Sequence, residues 1–210
     1  MKRLAWLASA LIISSGASAQ DAAAWYDPAL KETPNSTALI DAVGECVSQS
    51  PIWLRRFKPA SGSIKKSGEL VRNCVRKITD VDYLVPNSIL AGSVARGYYI
   101  KRFSVAPIAN DAPFFGESHK GREEKAANFL FFNCVLKAAP ASADKLVRST
   151  GSSVEVVLLT DAIATASRSC VAPEGKKIGN QGLKFGLADV LFRRSLPASE
   201  LVAATSKGAE

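Results

Sequence analysis

The chain has 210 residues, of which 47% are hydrophobic and 22% charged, a balance that builds a packed core and excludes a disordered chain. Its formal charge of +8 points toward anionic partners. One histidine and four widely spaced cysteines leave little material for metal or histidine-based chemistry.

Residues 1–19 read as a secretory signal peptide. Lys2 and Arg3 precede an apolar run from Leu4 to Ile13, and Ala17-Ser18-Ala19 is a small-x-small cleavage site before Gln20. The run is about ten residues long, half of what a bilayer crossing needs, so a retained anchor is the weaker reading. No later stretch is long and apolar enough to span a membrane, and the mature chain is expected to be periplasmic or secreted. Cleavage lowers the net charge from +8 to +6.

Residues 20–36 are a polar leader in which Trp25 and Tyr26 can clip onto a core. The first helical unit spans 37–103. Asn35 or Ser36 is its expected cap, and Leu39, Ile40, Val43 and Val47 recur at helical spacing from Thr37 to Gln49 beside Cys46. Ser50-Pro51 opens a short helix carrying Ile52, Trp53, Leu54 and Phe57. After a loop of small and basic residues, Gly68 to Ile78 forms the next helix, with Leu70, Cys74 and Ile78 four apart and Cys74 directed inward. Asn87 or Ser88 caps a helix through about Phe103 whose apolar face is Ile89, Leu90, Val94 and Tyr98. Of Tyr98 and Tyr99, one ring is expected to pack and the other to face out.

Residues 104–122, with Pro107, Pro113, Gly116 and Gly121, form the linker. The second unit spans 123–196. Glu123 to Lys137 is a helix made strongly apolar by Phe129, Leu130, Phe131, Phe132 and Val135, and Pro140 restarts the chain into a short helix with Leu146 and Val147. Val154 to Leu159 is β-branched enough for a strand. Ser152 and Glu155 are spaced as a capping box, however, and the pattern continues through Ala162, Ile163 and Ala166, so a helix to Ser169 is predicted. Pro173 to Gly182 is a loop, and Gln181 to Arg194 is the last helix, with Leu183, Leu187, Val190 and Leu191. Residues 197–210 are a C-terminal tail.

The two units share a local grammar: a helix ending in Cys-Val, a proline, a second cysteine-bearing helix, and a closing segment with a basic pair. Cys46, Cys74, Cys134 and Cys170 fall at corresponding places, 88 residues separating Cys46 from Cys134. An even cysteine count in an exported chain reads as disulfides, and duplication makes Cys46–Cys74 and Cys134–Cys170 the economical pairing of the three available. Zinc ligands normally come in pairs two to four residues apart, which these cysteines lack, so no metal site is expected. The fold class is therefore all-α: two tandem, duplicated helical units, each with one internal disulfide.

Cys46-Val47 with Pro51, Cys74, and Leu90 to Lys101, followed by Cys134-Val135 with Pro140, Cys170, and Leu183 to Arg194, resemble a loose set of exported, uncharacterised helical proteins of Gram-negative bacteria. The resemblance covers most of residues 38–196 and implies a small helical exported protein, with no activity to carry over.

No nucleophile elbow, zinc-protease helix or phosphate-binding loop is present. His119, in the linker, with Glu123 or Glu124 nearby, is the only candidate for a periplasmic hydrolase site, and a solvated loop side chain is the simpler reading of it. Asp80 and Asp82 read as loop residues. No catalytic residue and no cofactor are assigned. The candidate anion-binding residues are Arg55, Arg56, Lys58, Lys65, Lys66, Arg72 and Arg76, the last two sharing one helix face. Nucleic acid is not an expected partner; an envelope protein or an anionic envelope polymer is. The leading expectation is a non-enzymatic structural or interaction role in the bacterial envelope.

Overall fold

A computed structural model describes residues 23–30, 34–51, 65–79, 87–104, 122–150 and 154–196, with backbone alone at the first residues of the first four helices. The expected signal peptide, the short helix around Trp53, Ser152 and the linker residues around His119 lie outside the described residues. Among the described residues the architecture is all-helical: α1 (Pro34–Ser48), α2 (Lys65–Ile78), α3 (Asn87–Arg102), α4 (Arg122–Ala138), α5 (Pro140–Arg148), α6 (Val154–Ala166) and α7 (Asn180–Ser195).

The boundaries follow local chemistry. α1 begins three residues before the expected Thr37, because Pro34 has the φ of a first helical position and lacks only an amide that no carbonyl would have paired; Asn35 and Ser36 are thereby drawn into the helix. Pro140 opens α5 in the same way. The β-branched run at Val154 is helical, as its period predicts. Val156, Thr160, Ile163 and Ala164 bury one face of it, and packing outweighs the modest helix cost of branching.

α3 and α7, the closing helices of the two units, form the centre. α3 packs extensively on α1 and on α7, and α7 also receives α4, α5 and α6. Missing side chains allow these approaches. A Cβ on Gly92 of α3 would stand 2.2 Å from the Phe185 carbonyl oxygen of α7, and one on Gly44 of α1 would stand 1.9 Å from Ser93 Oγ of α3. Ser93 Oγ uses the closeness to donate a 2.6 Å hydrogen bond to the Ile40 carbonyl. At the corresponding place in the second unit the small partner changes sides: Gly186 of α7 receives the Phe132 ring of α4.

Both disulfides join the cysteines that the repeated grammar pairs, Cys46 with Cys74 and Cys134 with Cys170. One continuous core nevertheless runs through both units, from Val43 and Val94 to Val135, Leu187 and Phe192. The leader clips on as expected. Trp25 packs edge-on against Phe131 at 4.9 Å, and Ile178 N donates to the Trp25 carbonyl at 2.9 Å in an isolated parallel bridge. The leader thus docks on the far unit, which ties the start of the described chain to its end.

Two expectations are corrected. Tyr98 and Tyr99 are both buried, because α3 is covered on more than one side: Tyr98 stacks on Phe192 of α7, while Tyr99 lies against Asp144 and Arg148 of α5. Ile78, read as the end of the buried stripe on its helix, is exposed; among the described residues α2 has α1 as its one extensive partner.

Candidate functional site

The sequence of α2 divides it cleanly. Leu70, Val71, Cys74 and Val75 lie on the side that meets α1, and Cys74 is bonded there to Cys46. The remaining positions carry Arg72, Asn73, Arg76 and Lys77, all exposed, with Glu69 the one acidic residue of the helix. Arg72 and Arg76 are one turn apart on a shared face, as expected. Among the described residues, no ion pair engages either of them. Lys65 and Lys66 open the same helix, with backbone alone described, and Arg55, Arg56 and Lys58 lie outside the described residues. A surface groove of about 520 Å³ runs between α1 and α2, lined by Cys46, Gln49, Asn73, Cys74, Arg76 and Lys77. It combines amide and cationic donors with a disulfide floor, which suits an anionic group.

The other polar clusters hold the fold together. Asp41 of α1, 5% exposed, receives a 2.8 Å hydrogen bond from Lys184 Nζ of α7 and lies 3.5 Å from Arg96 Nε of α3. Both cations are 1% exposed. Arg96 also donates to the carbonyls of Val147 at 2.7 Å and Ser149 at 2.9 Å, and pairs with Glu45 at 3.1 Å. Gln181 Nε2 donates to Thr37 Oγ1 beside this network. One carboxylate therefore joins three helices from both units. Burial pushes the Lys184 ammonium below the usual lysine range, and the charge of Asp41 opposes that shift. These residues escaped sequence reasoning, which treats a lysine or arginine on a helix as solvated. The available signal was that Lys184 falls inside the broad apolar arc of α7, between Ala188 and Leu191, while Asp189 and Arg193 occupy the other side.

Tyr99 forms a third cluster. Its hydroxyl donates to Asp144 Oδ1 at 2.6 Å, Arg148 Nε donates to the same carboxylate at 2.9 Å, and the guanidinium lies 5.0 Å from the tyrosine ring centre. Burial first, and then the Asp144 carboxylate, hold the phenol well above its ordinary range. Above about pH 10 the unfolded chain releases this proton and the native protein keeps it. The stability contributed is thus complete below that pH and is lost as pH rises further. Tyr99→Phe is expected to cost about 1–3 kcal/mol at neutral pH, by loss of a hydrogen bond to a charged group, and to flatten the alkaline decline. Urea unfolding from pH 8 to 12 measures both; an unchanged decline in the variant would assign the alkaline sensitivity elsewhere.

Of the alternative hydrolase residues, His119 lies outside the described residues, and Glu123 and Glu124 sit in the first turn of α4 with backbone alone described. Among the described residues, no group of three or more His, Cys, Asp or Glu side chains could hold a metal ion, and no helix is long and apolar enough to cross a membrane. Fold and site together define a disulfide-stapled, all-helical protein with a peripheral basic helix. Compared with protein-family models, curated proteins and solved structures, the chain finds no match.

Proposed function

We propose that this chain is an exported protein of the periplasm or cell exterior, without enzymatic activity, that acts in the bacterial envelope by holding an anionic component against α2. The observation that carries this reading is the orientation of α2. Leu70, Val71, Val75 and its cysteine are spent on α1, and Arg72, Arg76 and Lys77 are exposed, the last two lining a groove. The two disulfides support an oxidising destination. The buried Asp41–Lys184–Arg96 and Tyr99–Asp144–Arg148 clusters support a structural use of the charges in the interior, because each links helices to one another.

The test is binding of the full chain to lipopolysaccharide or a soluble anionic polysaccharide at several salt concentrations. Affinity is expected to fall steeply with salt and to drop at least tenfold in Arg72→Glu/Arg76→Glu, whose exposed side chains can change without disturbing the core. Salt-insensitive binding, or a double variant that binds as well as the parent, overturns the reading.

A further inference from the structure

We propose that the outward face of α6 docks an amphipathic helix of a partner protein, with the partner's apolar stripe on Val154, Val157 and Leu158 and its basic flank beside Glu155 and Asp161. This face is separate from α2 and does not rest on the anionic-ligand reading. α6 buries Val156, Thr160, Ile163 and Ala164 against its neighbours. Its other side should then be polar by the ordinary logic of an amphipathic surface helix. It is not: Val154 is 78% exposed, Leu158 64% and Val157 42%. Val154, Leu158 and Ala162 recur every fourth residue and so form one row along the helix. Large aliphatic side chains aligned in this way form a contiguous apolar strip, the kind of surface that marks a contact site.

Charge selects the occupant. The whole chain is strongly basic, yet α6 contains Glu155 and Asp161 and no lysine or arginine; the next basic residue, Arg168, comes after the helix ends. Asp161 is exposed, and its Oδ1 lies 3.0 Å from the Tyr26 hydroxyl at the edge of the strip. A second copy meeting this face through its own α6 would bring carboxylates toward carboxylates. An anionic bilayer would repel them as well, and α6 has no long cationic side chain to reach its headgroups. A helix with leucine-like anchors and basic flanks satisfies both the strip and the acids, in the helix-against-apolar-face mode of recognition. Thirteen residues of α6 give about 20 Å of contact, the length of three to four turns of partner helix.

The experiment uses the full, oxidised chain and a fluorescent 18-residue peptide of leucine and lysine in helical period, with a leucine and glutamate peptide of the same pattern as control. Anisotropy is expected to show binding of the lysine peptide alone. Leu158→Lys and Glu155→Lys should each weaken it at least tenfold, and Arg72→Glu/Arg76→Glu should leave it unchanged. Equal binding of both peptides, absence of binding, or insensitivity to Leu158→Lys overturns the proposal. So does sedimentation that reveals a dimer dissolved by Leu158→Lys, or binding to anionic vesicles that Leu158→Lys abolishes, since these assign the face to a second copy or to a membrane. Both lysine substitutions fall on exposed side chains, and an unchanged melting curve verifies that the variants fold.

Discussion

Asp41→Ala is expected to lower stability by about 3–5 kcal/mol, the largest effect of any single polar substitution in the described core. The loss exceeds that of a surface ion pair because two buried cations, Lys184 and Arg96, remain behind. Arg96 keeps the carbonyls of Val147 and Ser149 and the Glu45 carboxylate, whereas the direct ion pair of Lys184 is gone. The double variant Asp41→Leu/Lys184→Met removes both ends of the pair and replaces them with apolar volume. It should therefore be more stable than Asp41→Ala. Urea denaturation of the two variants decides; a double variant no more stable than the single one would deny that a stranded charge is the cause.

The same pair sets a pH dependence. A lysine held below its ordinary range binds fewer protons in the native protein than in the unfolded chain, within the interval between the two values. In that interval stability rises with pH, so the cost of the buried ammonium is present below the lowered value and is relieved above it. Removing Asp41 takes away the main influence opposing the shift and should extend this interval to lower pH.

Loss of either disulfide is the second large effect. The bridges close loops of 28 and 36 residues, and on the chain-entropy model each is worth about 3.5–4 kcal/mol. Against the ~5–15 kcal/mol of a typical domain, removal of both should leave the chain largely unfolded at 37 °C. The shared core determines how the loss appears. Two independent units would melt separately, with only the unstapled one weakened. With α3 and α7 packed face to face, Cys134→Ala/Cys170→Ala should shift one common transition, detected alike by far-ultraviolet circular dichroism and by tryptophan fluorescence. Two resolved transitions would contradict a single cooperative core. Cys46→Ala/Cys74→Ala should add a local effect, because among the described residues α2 has α1 as its one extensive partner: its amides should exchange faster than those of α3 even under native conditions.

Helices, sulfur pairing and the leader were legible in the amino-acid order, the helices for local reasons. The period of Leu39, Val43 and Val47, the proline at the start of α5 and the continuation of the pattern beyond Val154 are properties of a few consecutive residues. The disulfides were legible because one grammar occurs twice, and Trp25 and Tyr26 because large aromatics in a short polar leader need a surface to cover them. The basic face of α2 was legible too, since Arg72 and Arg76 are one turn apart. The acid-flanked apolar strip on α6 was not, because Val154, Val157 and Leu158 look like core until the packing of Val156, Thr160 and Ile163 shows which side is inward.

What the amino-acid order determined by itself was the class of architecture and its staples: all helices, with one bridge inside each cysteine pair. What only the tertiary structure decided was which side of each helix has a neighbour. Periodicity defines one apolar face, and a helix covered on several sides buries whatever the sequence places there. Lys184, Arg96 and both tyrosines of α3 are inside for that reason, and Ile78 is outside where, among the described residues, α2 has α1 alone as an extensive neighbour. Burial of a charge then requires a partner from another helix, and that partner, Asp41, lies 143 residues away from Lys184, a distance no local pattern spans.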